Sequence, residues 1–389
     1  MQKQKGSSKV STTTAATKKP AKPATKKPTT TPTTKPATKP TDKTQTKPTA
    51  TKEQTKPQQQ QPQQTFNPSP TNFIEDKSAF VSHENPKIIE AKQLPNVEHN
   101  NFKCIKTQKA HGDWILHILS LKNSRIITCS EDKTMKLWDF SESSNKPLVQ
   151  YKGHTEGVLD LIQFTKSKIV SCSRDKTLRI WNIETGKELV CIKNNQPYYC
   201  IKQISDAQIA CAGGDADIRI YDLSKEDETV EIFKLSGHEL VIRDLEMIDE
   251  NTIASCSEDK TIKVWDLNNK KLLYTLEGHG EGVKCIKLLK DGRLASGAYD
   301  NLIKLWDLKE KKCVATLKGH TGHVLCLEQL PDERLVSGGS DWSIIVWDIK
   351  NNKLEKEVEG HNESVNTIVC LPNGAVLSGS TDCTLKMWE

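Results

Sequence analysis

Long apolar runs are missing from this chain of 389 residues. Nothing in it approaches the roughly 18 consecutive apolar positions of a membrane-spanning helix, and no charged start leads into the hydrophobic core of a secretory signal. Neither a membrane span nor secretion is expected. Arginine is absent before Arg125. Organelle transit peptides are usually Arg-rich and amphipathic, so the Thr-rich, acid-poor beginning is not read as one. Cysteine occurs twelve times but never as CxxC, and neither the nearest pair, Cys191 with Cys200, nor the wider pair Cys104 with Cys129 has metal-site spacing. Several lie inside apolar strand patterns, among them Cys129, Cys172, Cys256 and Cys326. Buried free thiols in a reducing compartment, cytoplasmic and/or nuclear, are the expectation. The P-loop, HExxH and EF-hand patterns are also missing. No cofactor and no metal ligand is assigned.

Acidic and large apolar residues are scarce in residues 1–72, which hold 14 Lys against Asp42 and Glu53 and so carry +12, leaving −6 for residues 73–389. Such a segment buries too little surface to offset the entropy of ordering. We read 1–72 as a disordered basic tail, ending in the polar joint QQQQPQQ at 58–64, and 73–100 as a lead-in linker. A flexible cationic tail attracts polyanions, nucleic acid or the acidic tails of tubulin, through counterion release. KKPAKPATKKP at 18–28 also resembles a nuclear import signal.

Helical periodicity is absent from the remainder, which is instead organised by repetition. SEDKTMKLWD at 130–139 returns as SEDKTIKVWD at 257–266. Aligned on the aromatic, the units end at Trp138, Trp181, Tyr221, Trp265, Trp306, Trp347 and Trp388, at spacings of 40 to 44 residues. Six positions before each aromatic stands an Asp: Asp132, Asp175, Asp215, Asp259, Asp300, Asp341 and Asp382. Twenty-seven before it stands His111, His154, His238, His279, His320 or His361, five of them after Gly, while the third unit has Asn194. Four before each Asp stands Thr128, Ser171, Cys211, Ser255, Ser296, Ser337 or Ser378. Four marks held in register across seven units are a fold signature. Within a unit, LVSGGSDWSIIVWD at 335–348 reads as two strand runs joined by a Ser-Asp turn.

GH at one end, Ser-x-x-x-Asp in the middle and WD or a relative at the other resemble the WD-repeat family of β-propellers over about residues 101–389. The resemblance implies an all-β fold, a seven-bladed β-propeller of four-stranded blades behind the disordered tail. The last unit ends on its third strand at Trp388-Glu389, and NFKCIKTQK at 101–109 matches the outer-strand segments before later GH pairs. Residues 101–109 are therefore expected to complete the seventh blade.

His, Ser and Asp together invite a hydrolase reading. A catalytic triad, however, is one activated nucleophile at one exposed place beside an oxyanion hole, and here the trio recurs from blade to blade. We expect no enzyme. The resemblance implies that His, Ser or Thr, Asp and Trp of each blade form a buried hydrogen-bonded chain tying strands to turns. The third unit, with Asn194, Cys211, Asp215 and Tyr221, departs from it, and is expected to be the softest blade. GHGEG at 278–282 imitates a phosphate loop and DADIRIYD at 215–222 a calcium site, but both fall on positions the repeat already explains.

Function then belongs where the blades differ on an exposed face. In this family the residues after GH and beside the turn Asp project onto one face, where peptides and domains dock. Most units carry small or charged residues there. Trp342, His323, Tyr299, Asn301 and Trp114 break that habit, and Arg174 adds a cation; exposed aromatics with Arg nearby are common interface anchors. The expected function is a non-catalytic protein–protein interaction scaffold. The alternatives are a substrate-receptor subunit of a ubiquitin ligase, or a microtubule- or chromatin-associated scaffold using the tail. Residues 73–100 are too short and polar for an F-box-like domain.

Overall fold

Seven-fold repetition at about 41 residues becomes seven antiparallel sheets of four strands each. The computed structural model describes residues 102–121, 125–140, 146–225 and 229–389, so the expectations for the tail at 1–72 and the linker at 73–100 lie outside the described residues. Every described element is a strand, and no described helix is long and apolar enough to cross a membrane. Blade 1 runs outward from the ring centre through Ile115–Ser120, Arg125–Ser130, Thr134–Asp139 and Val149–Lys152. Blades 2 to 6 repeat this order.

Burial explains the composition of each strand position. Second strands, such as Lys168–Ser173 and Leu335–Gly339, are buried along almost their whole length and are built of small and β-branched residues, because both faces of the sheet are covered by neighbouring blades. Outer strands alternate, as Glu188–Lys193 does, because one face meets solvent. Each interface between blades holds its own apolar cluster; that between blades 5 and 6 joins Leu289, Leu305 and Leu317 to Leu335, Ile345 and Trp347.

Blade 7 takes three strands from the end of the chain, Val365–Cys370, Val376–Ser380 and Thr384–Trp388, and its outer strand, Cys104–Lys109, from the beginning. The pairing is antiparallel, with Lys109 opposite Thr384 and Thr107 opposite Lys386. Lys103 and Glu389 exchange backbone hydrogen bonds at 2.7 and 3.1 Å, and the Phe102 ring stacks on Trp388 with centroids 5.7 Å apart. Closure buries the apolar faces of blades 1 and 7 against each other, Ile115, Ile126 and Trp138 meeting Leu377 and Leu385, and the pairing by Cys104–Lys109 covers the edge of Thr384–Trp388.

The innermost strands share an irregularity. In all seven, register shifts after the first residue, between Ile115 and His117, Val158 and Asp160, Tyr198 and Cys200, Ile242 and Asp244, Val283 and Cys285, Val324 and Cys326, and Val365 and Thr367. A bulge of this kind re-aims the extra side chain. Here the extra residues are Leu116, Leu159, Tyr199, Arg243, Lys284, Leu325 and Asn366, and together they line the mouth of the central channel.

Candidate partner-docking face

One end of the propeller is built by two kinds of segment: the loops that carry GH, and the turns that carry the repeated Asp. In blades 1, 2, 4, 5, 6 and 7 the indole nitrogens of Trp138, Trp181, Trp265, Trp306, Trp347 and Trp388 each donate at 2.8 Å to the hydroxyl of Thr128, Ser171, Ser255, Ser296, Ser337 or Ser378. The same hydroxyl lies 2.7–2.8 Å from Nε2 of His111, His154, His238, His279, His320 or His361. Nδ1 of each ring lies 2.6–2.9 Å from Asp132, Asp175, Asp259, Asp300, Asp341 or Asp382. A carboxylate can only accept, so Nδ1 carries the proton, Nε2 accepts, and the hydroxyl donates to it. The GH glycine fits the same geometry: at Gly360 a Cβ would lie 1.8 Å from the Trp388 ring.

Each Asp also receives a backbone amide from the loop after its His, from Gly112, Thr155, Glu239, Gly280, Thr321 or Asn362, at 2.7–3.1 Å. Burial alone would raise these carboxyls. Hydrogen bonds from the His ring, from loop amides and, in blades 1, 2, 4 and 7, from a Thr hydroxyl outweigh it and hold all six below the usual carboxylate range. The His111 and His279 rings are pushed down, chiefly by burial. Six buried, mutually saturated quartets leave no hydroxyl free to attack a substrate. Among the described residues no three His, Cys, Asp or Glu side chains are grouped to hold a metal ion.

Blade 3 is tied differently. Tyr221 Oη lies 2.7 Å from Tyr198 Oη, both rings buried, while Asn194 turns its amide to the Gln196 carbonyl. Asp215 pairs with Arg219, and Asp217 with Lys234 at 2.7 Å. Asp215 and Asp217 are thus engaged by cations of their own blade, and Asp222 accepts from the Ser224 amide at 2.8 Å.

The residue after the turn Asp has φ between 60° and 72° in every blade: Lys133, Lys176, Ala216, Lys260, Asn301, Trp342 and Cys383. In three blades this residue straps the next one. Lys133 Nζ is 3.7 Å from Glu156, Lys260 Nζ donates to the Gly280 carbonyl at 2.8 Å, and Asn301 Nδ2 donates to the Thr321 carbonyl at 3.1 Å. Trp342 stands in this position at φ 71° with 49 % of its surface exposed. A left-handed backbone is uncommon for any non-glycine residue and is a steric outlier for a bulky one. The fold therefore gains nothing from Trp342 that Asn would not supply better.

The structure brings Tyr299 and His323 together, with ring centroids 5.1 Å apart and His323 Nδ1 donating to the Tyr299 carbonyl at 2.8 Å. With Asn301 and Trp342 they occupy blades 5 and 6. Trp114, 46 % exposed, sits apart on blade 1, and Arg174 stands at the channel mouth, 3.3 Å from Glu131. Sequence reasoning passed over Leu240, 51 % exposed on the blade 4 loop. Its signal was present: two residues after the GH histidine the other blades carry Asp113, Glu156, Glu281, Gly322 and Glu363. The mouth residues Tyr199, Arg243 and Lys284 were also missed, although they align five positions after the His or its substitute.

The comparisons agree with this architecture. The chain resembles the solved structure of the WD40 beta propeller domain of Doa1 with a TM-score of 0.66 and 23 % identity, covering 75 % of this chain and 97 % of that one. Protein SPA1-RELATED 3 of Arabidopsis thaliana is 26 % identical over 166 residues, which are 42 % of this chain and 17 % of the relative. WD repeat-containing protein 89 homolog of Dictyostelium discoideum is 44 % identical over 59 residues, 15 % of this chain and 16 % of the relative. The matches thus span about a sixth of the length of each of these two curated relatives. The family profile described as WD domain, G-beta repeat matches residues 102–139, 145–182, 229–266, 270–307, 311–348 and 352–389, passing over only the blade whose quartet is replaced. With more than half of its length matched, the chain belongs to the WD40 repeat family.

Proposed function

We propose that this protein is a non-catalytic docking platform, receiving a peptide or domain of another protein on the face that carries the GH loops. Trp342 carries the reading: a half-exposed indole held at a positive φ, where three sibling blades have a strap to their neighbour. Tyr299 on blade 5 and His323 on blade 6 form an aromatic pair among the same loops and turns. A non-catalytic role is supported by the recurrence of the same hydrogen-bonded His–hydroxyl–Asp set in six blades. A reducing compartment, cytoplasm or nucleus, belongs to the same proposal and suits twelve free thiols. Contact of the +12 segment at 1–72 with nucleic acid or tubulin tails is proposed from charge alone; salt-dependent binding of that segment to DNA or microtubules tests it.

The test of the platform is quantitative affinity purification of wild-type chain beside Trp342→Ala. The expected result is an unchanged melting temperature with loss of specific co-purifying proteins. Full retention of every partner by Trp342→Ala refutes the assignment of the docking site.

A further inference from the structure

Outer strands meet the following blade through a recurring contact. Opposite the residue that precedes the repeat aromatic stands Phe233 in blade 3 and Tyr274 in blade 4. Phe233 packs into the cluster between blades 3 and 4, and Tyr274 into that between blades 4 and 5. Tyr274 Oη also donates to the Leu308 carbonyl of blade 5 at 3.2 Å. In blade 1 the ring comes from two residues further along the strand, and Tyr151 Oη donates to the equivalent carbonyl of blade 2, Ile183, at 2.7 Å. A Lys from the following blade covers two of these rings: Lys270 Nζ lies 4.7 Å from the Phe233 centroid and Lys311 Nζ 4.8 Å from that of Tyr274. Where blade 5 has Ala315 in this position, Arg293 takes the Ile349 carbonyl instead, at 3.0 Å.

Blade 2 has Val190 in this position and Ile192 two residues on. Neither carries a donor, and a slot of about 140 Å³ remains between blades 2 and 3, at the end away from the GH loops. Phe164, Ile180, Leu189, Val190 and Leu223 make it apolar, and Lys168 and Lys225 border it. Leu223 is 7 % exposed, and its carbonyl, the counterpart of those of Ile183 and Leu308, accepts no hydrogen bond from the described residues. An apolar cavity of about 150 Å³ accepts a benzene ring, and a buried carbonyl left unpaired costs free energy that a donor recovers.

We propose that this slot receives a tyrosine side chain of a partner protein, its ring seated as Tyr274 is between blades 4 and 5 and its hydroxyl donating to the Leu223 carbonyl. All six tyrosines of the chain lie among the described residues and none lines the slot, so the phenol comes from outside these 389 residues. The slot opens from the apolar cluster that already joins Ile180, Val190 and Leu223, and the ring continues that seam. The negative face of an aromatic ring suits the ammonium of Lys225, as it does those of Lys270 and Lys311. Phenylalanine would leave the carbonyl unpaired. This place is separate from the docking face around Trp342, at the opposite end of the propeller.

The test is methyl NMR of the full-length chain titrated with p-cresol, with toluene, and with the blocked pentapeptide Gly-Ala-Tyr-Ala-Gly. p-Cresol, the tyrosine side chain alone, is expected to shift the methyl resonances of Leu189, Val190 and Leu223 and to bind about fivefold more tightly than toluene, the worth of one hydrogen bond. The peptide is expected to shift the same resonances. Val190→Tyr fills the slot from within, at the strand position of Tyr274, and should abolish binding of both p-cresol and the peptide. Shifts that map elsewhere, equal affinity for p-cresol and toluene, or binding that survives in a folded Val190→Tyr overturns the proposal, and the wild-type shift map decides the matter should that variant not fold. A peptide that leaves these methyls unmoved while p-cresol shifts them overturns the choice of a partner's tyrosine.

Discussion

Replacing Ser337 by Ala removes one oxygen from a site with no exposed surface. Two groups then lose their partner: the Trp347 indole N–H at 2.8 Å, on a ring 1 % exposed, and the Nε2 of His320 at 2.7 Å. Each buried polar group left unsatisfied costs about 1–3 kcal/mol, so the pair costs about 2–6 kcal/mol. For a propeller of this size, about 2 °C per kcal/mol gives a fall of roughly 4–12 °C in melting temperature. Cys211→Ala is the internal control, because Cys211 is the same repeat position in blade 3, where Tyr221 bonds Tyr198 instead. Only packing is lost there, about 1 kcal/mol. Thermal melts of the two variants followed by near-ultraviolet circular dichroism decide the matter. If Ser337→Ala and Cys211→Ala melt within 2 °C of each other, the quartet does not contribute what its geometry says.

Two further outcomes are expected. A chain beginning at Ala110 lacks the Cys104–Lys109 strand and the Phe102 stack on Trp388; it should lose the single cooperative melt that a chain beginning near residue 95 keeps, and equal melts would show that blade 7 closes without its clasp. Burial pushes Asp244 up to about 6, against the Ile286 amide that lowers it. The folded chain thus holds a proton that the unfolded chain releases between about pH 4 and 6, so the contribution of this group is greatest at acid pH and falls as pH rises through 6. Asp244→Asn should flatten the decline in melting temperature between about pH 4 and 6, and an unaltered slope would refute the assignment.

Most of the fold was legible because its marks are obligatory. Asp132 and its six counterparts, and the aromatic six residues on, recur because every blade closes the same turn beneath the same strand, so register alone reveals blade number and order. The network quartets were legible by resemblance for the same reason. Blade 3 was not, because Tyr198 and Tyr221 meet across strands in a pairing without repeats to average over. The channel mouth was hidden for another reason. Leu116 and Lys284 follow the strand alternation in sequence, and only the bulge, a backbone event without a residue signature, turns them toward the axis. Trp342 was visible as an odd residue in a repeated position, yet its positive φ, which separates a tolerated surface indole from a costly one, required the backbone.

The shared blade 7 imposes a schedule on synthesis. Cys104–Lys109 leaves the ribosome about 275 residues before its partner Thr384–Trp388 exists. At about 5–20 residues per second this is roughly 14–55 s. Throughout that time an unpaired strand with Ile105 on its face waits while six blades form beside it. A neighbouring nascent chain on the same message offers the same complement, so the interval is a window for strand exchange between copies. Slow decoding of residues 110–380 lengthens the exposure, and the yield of monomer then becomes a property of translation rate as well as of sequence.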